Sequence, residues 1–371
     1  MLFTSIFVYL LCFSIIELLS SKSFKKIFTF TFLIITLLTI FRYGVGTDYF
    51  GYMYLYQQTP QVNDPLFFQT ELHGEIGYRV LVGLCKWMNL SYETFVGVMT
   101  FTSMTFIYFF IKRYTKFKML SLFIFYSMYY FTYINSGIRQ GFAISFFIAV
   151  LIPLLLRKKY SLYIILTILV ATIHSSILVV LILPLLSVAY QKNKSILFAG
   201  IILSIFLIFI SVNFIPMINQ GLGDYRFSGF NGFALISRFL LFSIIMLIFY
   251  LNKHKVNESE KMIILYYFFG FLLYLSLCNM SLVSSRMHVY FKVLEILLIP
   301  NFLSMIKINT KNILVPYILI IFFALMWMKE INNALNQGEY NKKNIFLDYK
   351  YTSIFNADDV KKYRKITFKI D

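Results

Sequence analysis

The sequence predicts an all-α, polytopic integral membrane protein of about twelve transmembrane or re-entrant helices, with an amphipathic helix at the outer face. Three observations carry this. Mean hydropathy is +0.75 with only 13% charged residues, which no soluble core matches. Apolar runs of roughly 15–22 residues recur from end to end, close to the about 20 residues that cross a bilayer. Short basic clusters separate them: SKSFKK from Ser21, KRYTKFK from Lys112, RKK from Arg157, QKNK from Gln191 and NKHKVNESEK from Asn252. Lys and Arg in short loops stay cytoplasmic. The net charge of +18 is therefore a topology signal, and no nucleic-acid partner is expected.

Taken in order, the expected spans are 2–20, 27–41, 92–111, 119–135, 138–156, 160–173, 175–190, 195–216, 232–251, 262–280, 288–305 and 312–329. The first has neither a basic n-region nor a small-residue cleavage site, so it is expected to be a retained span. The short pair 160–173 and 175–190 is either one tilted helix or a hairpin turning at His174. Basic clusters on both flanks favour the hairpin, which returns them to one side. Residues 42–75 form an outer loop rich in Gly, Tyr, Gln and Pro. Residues 75–90 are too short and too charged to span, and suit an interfacial amphipathic helix. Residues 1–330 thus make one membrane domain, and 331–371 a polar tail expected against the outer mouth. No period of 20–50 residues marks a repeat array. Cys12, Cys85 and Cys278 lack metal-ligand spacing, and neither a metal nor a cofactor is expected.

A second set of charges stands apart, as single residues among Gly, Tyr and Ser near the predicted outer ends of the spans. In FRYGVGTDYFGYMYLY, from Phe41, glycines surround Asp48 beside Arg42 and Tyr49. No Lys-Ser or Lys-Thr follows, so a nucleotide loop is excluded. A tyrosine girdle accounts for the aromatics but not for Arg42 and Asp48. Carboxylate, guanidinium and aromatic faces suit a sugar. In NSGIRQGFAISFF, from Asn135, Arg139 and Gln140 open a helix whose N-terminal N–H groups would suit a phosphate. His174 sits at the hairpin turn, with a pKa suited to a general base, and Asp48 is the second choice for that role. Asp224, Arg226, Arg238, Arg286 and His288 form a further outer group. Arg226 would pair with Asp224 or bind substrate. Lys292 and Glu295, three apart in one span, neutralise each other.

Four stretches in order resemble the EpsG-type branch of the Wzy polysaccharide polymerases. They are Arg-x-x-x-Gly-Thr-Asp-Tyr (Arg42 to Tyr49), Glu-x-Gly-Tyr (Glu75 to Tyr78), Ile-Arg-Gln-x-x-Ala (Ile138 to Ala143) and His-Ser-Ser (His174 to Ser176). The region from Gly221 to His288 matches loosely. The resemblance implies a glycosyltransferase of the bacterial cytoplasmic membrane, active at its outer face. Its substrate would be polyprenyl-pyrophosphate-linked oligosaccharide, with a flippase and a chain-length regulator of the same pathway as partners. The growing chain would leave its lipid pyrophosphate for a sugar hydroxyl, without a metal. His174, Arg139 and Asp48 would be catalytic. Arg42, Tyr49, Gln140, Arg226, Arg238, Arg286 and His288 would bind substrate. The product would be capsule, exopolysaccharide or O-antigen.

Two other classes compete. A flippase or exporter of lipid-linked oligosaccharide would carry charges at several depths, whereas these gather at one face. A membrane O-acyltransferase would need its histidine on the path of a cytoplasmic donor, whereas His174 is expected outside.

Overall fold

A computed structural model describes residues 2–68, 74–192, 232–278, 280–306, 314–337 and 351–358. The chain is all-α and of membrane type. Six helices among the described residues are long and apolar enough to cross a bilayer: Leu2–Ser20, Tyr92–Tyr114, Ile138–Leu156, Ser175–Lys192, Gly232–Lys255 and Leu314–Asn333. The expected span 195–216, together with Asp224 and Arg226, lies outside the described residues.

The chain divides into two compact units. Unit 1 comprises Met1–Ala149, Thr172–His174 and Ile306–Asp371; unit 2 comprises Val150–Ala171 and Ser175–Met305. In unit 1, α1 (Leu2–Ser20) and α2 (Lys25–Ile40) form the first pair. The outer-loop region holds α3 (Tyr49–Gln58) and α4 (Ile76–Trp87), ahead of the long α5 (Tyr92–Tyr114). The segment 118–136 follows as α6 (Lys118–Met128) and a π-helical stretch, Tyr130–Ser136, then α7 (Ile138–Phe146).

Helix α6 is buried on every side, from Lys118 to Met128, because α1, α2, α5 and the helix Leu314–Gln337 all pack on it. A helix apolar all round needs such a jacket. Its two ends are closed by opposite charges. At the end marked by basic clusters, the buried Glu17 carboxylate accepts the N–H groups of Lys118 and Leu120, each at 3.0 Å, and of Phe24 at 3.2 Å. At the other end the π turn leaves carbonyls that Arg42 satisfies. Its Nη2 donates to Ile134 O at 3.1 Å and Asn135 O at 3.4 Å; its Nη1 donates to Thr39 O at 2.7 Å and Thr100 Oγ1 at 2.9 Å. Acid at a helix N-terminus and guanidinium at two C-termini both complement the helix dipole.

Residues 351–358 of the tail dock on this same end. Tyr43 N–H donates to Thr352 O at 2.8 Å and Ile354 N–H to Phe41 O at 2.9 Å, making an isolated antiparallel bridge of Arg42 and Ser353. Tyr351 OH donates to Leu38 O at 2.9 Å.

In unit 2, α8 (Ile152–Leu156) leads into α9 (Tyr160–Ala171), followed by a 3-10 stretch, Ser175–Leu181, and α10 (Ile182–Lys192). Tyr163 OH donates to Val180 O at 2.7 Å, so the two arms fold back on each other. The hairpin is formed, and the single tilted helix is not. Helices α11 (Gly232–Asn252), α12 (Glu258–Ser276), α13 (Ser281–Lys292) and α14 (Glu295–Leu303) complete the unit. The expected span 288–305 begins earlier and breaks at Val293–Leu294. Lys292 and Glu295 therefore lie on either side of a break rather than on one continuous helix.

Candidate functional site

The loop 42–48 is seated on the π-helical turn. Gly46 has φ +113, and a Cβ there would stand 2.2 Å from Asn135 O, so glycine is required on both counts. The Thr47 and Ser136 hydroxyls share a hydrogen bond, and Asp48 N–H donates to Ser136 Oγ at 3.1 Å. Two motifs far apart in sequence thus form one block, and Arg139 emerges from it in the first turn of α7.

Arg139 meets a carboxylate that the sequence reading left without a role. Its Nη1 lies 2.5 Å from Glu75 Oε2. Its guanidinium covers the Tyr52 and Tyr78 rings, at 5.4 and 5.1 Å from their centroids, and Nε reaches Tyr52 OH at 3.4 Å. Stacked aromatic faces hold a cation while leaving donors available.

Glu75 occupies the N-cap position of α4, yet its side chain makes no cap bond there. The N–H groups of Gly77 and Tyr78 are met by Thr172 O, at 2.7 and 3.3 Å. A Cβ on Gly77 would stand 2.1 Å from Thr172 Oγ1, so the glycine permits this contact. The contact carries His174 to the carboxylate, with Nδ1 3.6 Å from Glu75 Oε1. One carboxylate therefore sits between a guanidinium and an imidazole. The side chains of Arg139 and His174 are each 13% exposed and that of Glu75 is 23% exposed, so the trio is sheltered, and both ring nitrogens of His174 are buried.

The phenols around it are neutral hydrogen-bonding groups. Burial pushes Tyr52 up; Arg139 pulls it back, while Asp48 and Glu75 add to the rise. Burial likewise pushes Tyr78 up. Asp48 is exposed and its charge is felt at Tyr52.

The structure thus brings Arg139 and His174 together at Glu75, with Gln140 half-buried in the same helical turn as Arg139, while Asp48 is exposed and hydrogen-bonded to Ser136. Two of the expected binding residues are interior. Arg42, 2% exposed, donates to helix-end carbonyls. Tyr49, also 2% exposed, packs on Tyr43, Phe50 and Tyr92 in the core, so its ring offers a sugar no open face.

Unit 2 holds the remaining candidates. Arg238 Nη1 lies 3.5 Å from Glu295 Oε1, which also accepts Tyr267 OH at 3.1 Å. Glu295 is thus a buried carboxylate that accepts one hydrogen bond from Tyr267 and pairs by charge with Arg238. His288 is buried, its ring 4.9 Å from that of Tyr274. Arg286 is exposed in the first turns of α13. Among the described residues no three His, Cys, Asp or Glu side chains gather as a metal site.

Glu75 and Gly77 had a sequence signal in the Glu-x-Gly-Tyr run. What was missing was the partner, since Thr172 and Arg139 reach Gly77 and Glu75 only through the fold. The sequence matches the EpsG family over residues 25–344. No curated protein and no solved structure matches the chain.

Proposed function

This chain belongs to the EpsG family and is a membrane protein of polysaccharide-polymerase type; from that premise we propose that it joins polyprenyl-pyrophosphate-linked oligosaccharide units at the outer face of the bacterial cytoplasmic membrane. The observation that carries the proposal is the meeting of Arg139 and His174 at one sheltered carboxylate in unit 1. The two groups have complementary tasks. When the bond between the anomeric carbon and the pyrophosphate oxygen breaks, negative charge grows on the leaving group. A guanidinium fixed by two aromatic rings stabilises it without reorganising. The acceptor sugar hydroxyl attacks that carbon and its proton passes to His174, the general base. Asp48 is proposed as the second base and as a partner for sugar hydroxyls, and Gln140 as a donor to the phosphate. Tyr52 and Tyr78 hold the Arg139 guanidinium. Arg286, exposed near a helix start, is proposed to bind lipid-linked phosphate, as are Arg226, Arg238 and His288.

Pathway partners would be a flippase and a chain-length regulator. No step above needs a metal. The meeting of Arg139 and His174 at Glu75 within unit 1 supports an enzyme over a flippase, which would line a path at several depths.

The test is polymer formation in a strain lacking the protein, complemented with variants. Arg139→Ala and His174→Ala should each abolish long chains, a loss of at least a hundredfold, while membrane abundance is kept and lipid-linked single units accumulate outside. Near-normal chain lengths from both variants would overturn the site assignment. Single units stranded at the inner face of the null strain would make the protein a flippase.

A further inference from the structure

We propose that Glu75 is the positioning residue of this site: it fixes the His174 imidazole with its Nε2 turned to the acceptor, and holds Arg139 so that Nη2 of the guanidinium meets the leaving group. The proposal rests on the polymerase reading for the identity of those two ligands, but its geometry stands alone.

The two carboxylate oxygens are divided between two partners. Oε2 takes Arg139 Nη1 at 2.5 Å, and Oε1 faces His174 Nδ1 at 3.6 Å. The latter is about half an ångström beyond a hydrogen bond, a looseness common before substrate closes a site. An imidazole whose Nδ1–H points at a carboxylate must carry its lone pair on Nε2. That nitrogen then accepts the hydroxyl proton, and the carboxylate stabilises the imidazolium that results. On the other side Nη1 and Nε of Arg139 are engaged by Glu75 and Tyr52, while Nη2 makes no hydrogen bond among the described residues. Nη2, the donor that both edges of the guanidinium share, is therefore the one left for a ligand. Glu75 is held in place by α4, whose first N–H groups are fixed to Thr172 O, two residues before His174. A single rigid helix start thus sets both the acid's position and the histidine's. Gly74, with φ +127, lets the chain enter this turn within 3.2 Å of Arg139 Nη1, measured from the Cβ it lacks.

Among the described residues the ionisable group set against His174 is Glu75, and behind Glu75 stands Arg139 on the Tyr52 and Tyr78 rings, with Asp48 felt at Tyr52. The Glu75 charge favours the protonated ring, so removing that charge should lower the pH at which His174 titrates.

The experiment uses the full chain in lipid nanodiscs, with ¹⁵N-histidine spectra assigned through His174→Gln, and polymer synthesis from a lipid-linked repeat unit. Glu75→Gln should lower the His174 midpoint by about one pH unit, move the acid limb of the rate profile the same way and cut turnover at least tenfold. Glu75→Asp, which keeps the charge, should restore the midpoint. An unmoved midpoint in Glu75→Gln overturns the proposal whatever happens to polymer. So does lost turnover with an unmoved acid limb, which would make Glu75 a scaffold alone. A shifted midpoint in a protein whose wild type makes no polymer would support the Glu75–His174 coupling and overturn the polymerase reading.

Discussion

Arg42 shows how a single residue's chemistry is set by what surrounds it. It shares with Arg139 a place beside glycines at a span end, and the two side chains have opposite fates. Arg42 is enclosed and gives its fork of donors to four acceptors from three segments; Arg139 is stacked on two rings with Nη2 to spare. The consequence is measurable. Arg42→Ala leaves the Ile134 and Asn135 carbonyls without their donor, a cost of about 3 kcal/mol or more. Arg42→Lys fares little better, since a point charge cannot span the same acceptors. Both variants should lose melting temperature in detergent and abundance in membranes, whereas Arg139→Ala should lose only product. Wild-type stability in Arg42→Ala would sink this distinction.

At the scale of elements, the site depends on how the start of α4 is docked. An amphipathic helix was legible from residues 75–90, with Leu84 and Trp87 exposed and Tyr78 and Val82 buried. What it docks on was not. Gly77 makes the contact with Thr172, where a methyl group would overlap the threonine side chain. Gly77→Ala should push the 172–174 turn away from Glu75 and reduce polymer at least tenfold, with modest loss of stability because the glycine lies in a helix that alanine otherwise favours. The readout is polymer yield per folded protein. Unchanged yield would mean that the docking does not position His174. The π-helical turn is another element invisible to periodicity. It arises where a buried helix must deliver carbonyls to Arg42 and space to Gly46.

For the whole molecule, charge bias left the side of the tail as the weakest inference, because its own lysines and arginines oppose the expected placement. Contact supplies a relation that charge does not. Residues 351–354 pair with 41–43, so this stretch of tail shares a side of the membrane with the Asp48 loop. Cysteines introduced by Ser353→Cys and Asp48→Cys should therefore react alike with a membrane-impermeant maleimide on intact cells, and Lys22→Cys should not. Labelling of Lys22→Cys with silence at the other two would invert the orientation; opposite behaviour of Ser353→Cys and Asp48→Cys would refute the pairing.

Sequence alone determined the helical membrane class, the positions of nearly all described spans, the hairpin at His174 and the candidacy of Arg139 and His174. These follow from local quantities, namely the length of apolar runs, the placement of basic clusters and the cost of leaving a charge near apolar surroundings. Only the tertiary structure decided that Glu75 joins Arg139 to His174, that Arg42 and Tyr49 are interior, that Glu17 closes the buried α6, and that Glu295 sits with Arg238 and Tyr267. The reason is that a charged or aromatic side chain announces that it needs partners, but not which ones. Partners from residues as far apart as 42 and 135, or 75 and 174, are selected by packing, and packing is a property of the folded chain.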